Sequence, residues 1–155
     1  MTKHNLLLLG VAALMLGCGD SAPPGALSGQ SRINSTTGLV ERNFDQAQIK
    51  RGESVYVANC VGCHGPAGAA TPDWRKPNPD GKYPPPPLDG TAHAWHHSTE
   101  ALKKTILQGT PPEIGSMPAW EGKLTEQQVD DVIVWIKSLW PDEIYDIWAK
   151  NFENK

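Results

Sequence analysis

The sequence has no surplus of positive charge. Lysine and arginine number 14 against 17 acidic residues, a formal charge of −3. They form neither a basic tail nor a basic stripe, which argues against nucleic acid as a partner. A hydrophobic run long enough to cross a bilayer is also missing. The longest, Leu6 to Leu16, falls well short of the ~20 residues a spanning helix needs. No segment alternates apolar and polar residues at strand spacing, and no internal repeat is visible. Apolar residues make up only 39% of the chain, a thin core for one small domain. Six tryptophans, or a buried prosthetic group, would have to supplement it.

What is present begins with an export pattern. Lys3 precedes the apolar run, which ends at Leu16-Gly17-Cys18. This junction resembles a bacterial lipobox, which implies a signal peptide over 1–17, cleavage before Cys18 and lipid on its sulfur. An ordinary signal cut after Gly17 or Ala22 is the alternative. The lipid reading leaves no unexplained thiol in an oxidising compartment. It places the mature chain in the bacterial periplasm, held to a membrane by lipidated Cys18. Residues 18–44, rich in Gly, Ser, Pro, Asn and Thr, then read as a flexible tether. Cleavage removes Met1, Met15 and His4. One methionine, Met117, and four histidines, His64, His93, His96 and His97, remain.

The rest reads as all-α. Asp45 caps a helix that runs to Asn59, with Ile49, Gly52, Val55 and Tyr56 at helical spacing. Residues 65–89 are dominated by Pro and Gly, including Pro84-Pro85-Pro86-Pro87, and predict loop and polyproline II segments. Ser98 caps a second helix over 99–108, ended by Gly109. Thr125-Glu126-Gln127-Gln128 is a capping box opening the strongest helix, whose apolar face carries Val129, Val132, Ile133, Ile136 and Leu139/Trp140. Pro141 breaks it, and Asp142 is positioned to cap a short final helix. The expected organisation is a domain over 45–140 and a C-terminal helical extension over 141–155.

The chemistry lies in Cys60-Val61-Gly62-Cys63-His64. Cys-x-x-Cys-His is the attachment signal for haem c: two thiols add to the haem vinyl groups, and the adjoining imidazole reaches the iron. A redox disulfide would expect a βαβ context, and a zinc site would expect a second cysteine pair. The sequence has neither.

These residues resemble the class I c-type cytochromes over roughly 45–140. Gly52 and Tyr56 precede the motif, Gly65-Pro66 follow it, Gly115-Ser116-Met117-Pro118-Ala119-Trp120 is similar to the family's distal methionine loop, and 132–139 to its C-terminal helix. The resemblance implies a cytochrome c fold around one covalent haem c, with His64 proximal and Met117 distal. It implies that Gly52 allows close helix crossing, with Tyr56 and Trp135 around it. It also implies Pro66 on the proximal face, with a nearby carbonyl accepting the His64 Nδ1 proton, and a Pro87-Leu88 pair near the haem. Ile106 and Trp120 are expected pocket walls. Met117 suits the distal role chemically, because a soft neutral thioether favours ferrous iron. It could also simply fill a gap in the core.

His93, His96 and His97 keep other possibilities open. They could supply a distal imidazole, hold copper or zinc, meet a haem propionate, or lie on the surface. The function implied is electron transfer by a non-enzymatic, monomeric carrier between redox proteins, a terminal oxidase among them. The alternatives are a haem-based small-ligand sensor or peroxidase-like protein, and a copper-handling module.

Overall fold

Three side-chain caps set where the main helices begin. In the computed structural model, which describes residues 32–153, Asp45 accepts from the Ala47 N–H and starts α1 (Gln46–Asn59). Ser98 accepts from the Ala101 N–H and starts α3 (Thr99–Gln108). Thr125 and Gln128 form a reciprocal capping box at α4 (Glu126–Ser138). Between α1 and α3 lie α2, a single turn over Val61–His64, and a long irregular segment holding 3-10 turns at Pro66–Gly68 and Ala94–His96. A last helix, α5, spans Asp142–Asn151. Among the described residues the only β-pairing outside the helices is a bridge between Ile33 and Val40, and no helix is long and apolar enough to cross a membrane.

The crossing of α1 and α4 is the centre of the fold. It is possible because position 52 has no side chain: a β-carbon there would lie 2.0 Å from the Asp131 carbonyl oxygen and 2.7 Å from Trp135 Cβ. Beside this contact the Tyr56 and Trp135 rings stack with centroids 4.2 Å apart. Asp131 is buried at the same crossing. Arg51 holds it through Nε (2.8 Å) and Nη2 (3.1 Å), and Gln127 adds a third bond. Burial pushes this carboxyl up, but the bonds from Arg51 and Gln127 outweigh it, so it titrates below the ordinary range. Val129, Val132, Ile133 and Ile136 of α4 are buried as their spacing predicts.

The chain ends depart from expectation. Residues 32–44 do not behave as a tether but form a strap against the α4–α5 junction. The Val40 N–H donates to Asp146 Oδ1 (2.9 Å), and Phe44 meets the Tyr145 ring edge-on at 5.5 Å. Arg42 donates to the carbonyls of Lys137, Ser138 and Trp140. These carbonyls lie at and just beyond the C-terminal end of α4, where intrahelical partners become few. The Arg42 guanidinium also pairs with Asp142 (2.7 Å). Asp142 therefore does not cap α5; Pro141 takes that position without a side-chain bond. The extension is integral to the domain. Trp148 is buried against Trp140 and donates to the His97 carbonyl, and Glu153 accepts from the Thr99 N–H and hydroxyl. Residues 1–17 and Cys18 lie outside the described residues.

Candidate functional site

Cys60 terminates α1, its N–H donating to the Tyr56 carbonyl. The chain then makes one tight turn. Cys63 and His64 N–H groups both donate to the Cys60 carbonyl (3.1 and 2.9 Å), and Gly65, at φ +73°, closes the turn with a bond to Val61. Tyr56 stabilises it from below, its hydroxyl donating to the Gly65 carbonyl at 2.6 Å. Burial pushes the Cys60 thiol up to about 11, and the Cys63 thiol adds to this. A redox Cys-x-x-Cys works the other way, through a lowered thiol pKa.

His64 is buried and its Nδ1 lies 3.0 Å from the Pro86 carbonyl oxygen. Since a carbonyl only accepts, Nδ1 carries the proton and Nε2 keeps its lone pair. Burial lowers the imidazole pKa, opposed by this hydrogen bond, and favours the neutral, ligating form. The carbonyl comes from the proline run. Prolines have no N–H, and polyproline II carbonyls have no internal partner. The run is fixed at its end: Leu88 donates to the Gly68 carbonyl (2.7 Å), and Trp140 Nε1 donates to the Leu88 carbonyl (2.9 Å).

A cavity of about 490 Å³ opens beside these groups, lined by Cys60, Cys63, His64, Leu88, Met117 and Trp120, with Trp74, Tyr83, His93 and His97 also on its walls. A smaller apolar recess of about 80 Å³ shares Cys60, His64, Leu88, Met117 and Trp120 and adds Ile106, Val132 and Ile133. The larger volume lies within the ~300–1,000 Å³ usual for bound small molecules. Two thiols, an imidazole with a free Nε2 and a thioether therefore reach one hydrophobic space from different segments. That set fits a haem c.

Most expected site residues meet at this cavity; Pro66 does not. It is exposed, opens the turn after His64 and lines neither space. Its expected neighbourhood is supplied by Pro86, which lies beside the anticipated Pro87-Leu88 pair. Trp74 stands at the cavity beneath the Arg75 guanidinium. The histidines do not converge. His93 and His97 line the cavity with ring centroids 6.3 Å apart, whereas His96 meets Trp95 edge-on and packs beside Phe152. Among the described residues no group of three His, Cys, Asp or Glu side chains is placed to hold a metal ion. His93, His96 and His97 do not form such a group. Sequence reasoning did not find Pro86 or Thr110, whose hydroxyl accepts from the Met117 N–H at 3.1 Å. Neither carries a local signal, since each acts through its backbone or a single hydroxyl.

Known proteins agree with this geometry. Residues 47–136 match the family described as cytochrome c oxidase, cbb3-type, subunit III. The chain is 34% identical over 110 residues to the cbb3-type cytochrome c oxidase subunit FixP of Bradyrhizobium diazoefficiens, covering 69% of this chain and 32% of that protein. It is 26% identical over 98 residues to the subunit CcoP of Cereibacter sphaeroides, covering 63% and 30%. The chain thus spans about a third of the length of these curated relatives. Among solved structures it shares its fold with cytochrome cL of Methylophaga aminisulfidivorans at a TM-score of 0.50, with 24% identity over 76% of this chain and 74% of that one. The motif, the cavity and the family match lead to one conclusion: the chain belongs to the cbb3-type cytochrome c oxidase subunit III family, and so to the class I c-type cytochromes, which bind haem c.

Proposed function

We propose that the chain is a one-electron carrier holding a single haem c, attached through Cys60 and Cys63 and ligated by His64 and Met117. The observation that carries this reading is that the proton-locked imidazole of His64 and the thioether of Met117 line the same cavity as both cysteines. Haem c supplies reversible one-electron chemistry at its iron. The residues of the chain orient, bind and exclude water. Pro86 keeps the His64 proton on Nδ1. Leu88, Ile106 and Trp120 surround the site with hydrocarbon. The single Cys-x-x-Cys-His motif supports one haem.

A terminal oxidase is the partner this reading favours, because the relatives are subunits of one. The work is done by a monomer in the periplasm, tied to a membrane through lipid on Cys18.

The ferric holoprotein should show a far-red sulfur-to-iron absorption band that is absent in Met117→Ala. A parent without that band, binding carbon monoxide readily in its reduced form, would instead indicate a five-coordinate sensor or peroxidase-like protein. Intact mass of the membrane-extracted chain tests cleavage, lipid and haem number together.

A further inference from the structure

Methionine has three rotatable side-chain bonds and little shape of its own. Where its sulfur sits depends on how firmly its backbone is held. At Met117 one residue holds both backbone polar groups. The Thr110 N–H donates to the Met117 carbonyl at 3.1 Å. The Met117 N–H donates to Thr110 Oγ1, also at 3.1 Å. Residues 110–117 therefore form a closed loop whose two ends are tied to each other.

The surrounding residues are shaped to this tie. At the loop tip the Pro111 carbonyl accepts from the Ile114 and Gly115 N–H groups. Gly115 lies directly against the threonine, where a β-carbon would come within 2.8 Å of Thr110 Oγ1. Gly109, at φ +72°, lets the returning chain pass, since a β-carbon there would lie 2.6 Å from the Met117 carbonyl oxygen. Beyond the crossing, the Trp120 N–H donates to the Ile106 and Leu107 carbonyls at the end of α3. The loop is thus anchored to a helix at its outlet, while its closure depends on Thr110.

We propose that Thr110 is a positioning residue for the distal ligand: its hydroxyl, by accepting the Met117 N–H, keeps the thioether on the haem cavity. This rests on the reading of Met117 as an axial ligand. Valine at position 110 keeps the size and branching of the side chain and the backbone bond, and removes only the acceptor. Without it Met117 leaves its position more often, and an added ligand such as imidazole gains access in proportion to the fraction displaced.

The test uses the haem-loaded full chain and four variants: Thr110→Val, Thr110→Ala, Thr110→Ser and Met117→Ala. Two quantities are read, the far-red band of the ferric protein and its affinity for imidazole. Thr110→Val should weaken the band and tighten imidazole binding about five- to ten-fold, the scale of one lost hydrogen bond. Thr110→Ser, which retains the oxygen, should restore both. Should the valine variant fail to accumulate with haem, Thr110→Ala carries the same expectation. Parent-like band and affinity in Thr110→Val or Thr110→Ala, with both altered in Met117→Ala, would overturn the role of Thr110 alone. A Met117→Ala variant identical to the parent would instead overturn the axial reading, and the proposal with it. A serine variant as perturbed as the valine one would show that the hydroxyl is not the agent.

Discussion

Gly52 touches Asp131 backbone to backbone, so closely that a β-carbon on residue 52 would sit 2.0 Å from the Asp131 carbonyl oxygen. No rotamer relieves such a contact, because both partners belong to helical main chain. The helices must move apart instead. That would disturb the Tyr56–Trp135 stack and the hydroxyl bond from Tyr56 to Gly65, just after the haem-attachment turn.

Gly52→Ala is therefore expected to be strongly destabilising despite alanine's better helix propensity. Overpacking costs about 1–3 kcal/mol in ordinary cores, and a rigid backbone contact places this case at ~3 kcal/mol or above. Denaturant unfolding of the holoprotein measures it. A midpoint equal to the parent's would show that α1 and α4 do not cross at this residue.

Trp140→Phe tests the support of the proximal side. It preserves most of the buried ring but deletes the donor to the Leu88 carbonyl. A part-buried acceptor left unpaired costs about 1–3 kcal/mol. The loss should appear in the unfolding midpoint, together with a loosened proline run beneath His64. Unchanged stability would mean that another donor or water takes over the carbonyl.

Arg42→Ala tests the strap. It removes charge-assisted bonds to three carbonyls and the pair with Asp142. Hydrogen bonds to charged groups contribute about 1.5–3 kcal/mol, so a loss of ~2 kcal/mol is expected. Limited proteolysis should cut the variant between residues 32 and 44 faster than the parent. Equal cutting rates would show that Arg42 does not secure the segment.

Lys137 gives a pH signature. Burial drives its pKa down to about 8, opposed by Glu153 and Asp130 and assisted by Lys103. Its ammonium donates to Thr99 Oγ1 and lies 4.3 Å from the Trp148 ring centre. With an unfolded value near 10.5, the unfolded chain binds more protons between pH 8 and 10.5. Stability attributable to Lys137 is therefore lowest below pH 8 and rises through that window, by roughly 3 kcal/mol in all. Unfolding curves of parent and Lys137→Met from pH 7 to 10 should differ by this slope. Parallel curves would show that the lysine titrates normally.

How much of this was legible in the sequence depended on distance along the chain. The caps at Asp45, Ser98 and Thr125 were readable because each bond spans two or three residues. The haem motif was readable because two thiols and an imidazole share a single turn. Gly52 was found through family resemblance, since spacing alone marks it only as inward. The role of Arg42 was hidden: its partners are 95 to 98 positions away, and nothing in its immediate neighbourhood announces them. Asp142 looked like a cap locally and was claimed by Arg42 instead. Pro66 and Pro86 show the same limit. Both lie near His64 in composition, but only the fold decides which carbonyl reaches Nδ1.

The proline run that delivers that carbonyl has one more consequence. Proline restricts φ in the unfolded chain as well as in the folded one. The acceptor for His64 thus arrives on a piece of chain that has little freedom left to surrender. Part of the entropy cost of placing the imidazole's partner is thereby avoided on folding. Replacing Pro85 would therefore cost stability through the unfolded ensemble, which it would widen.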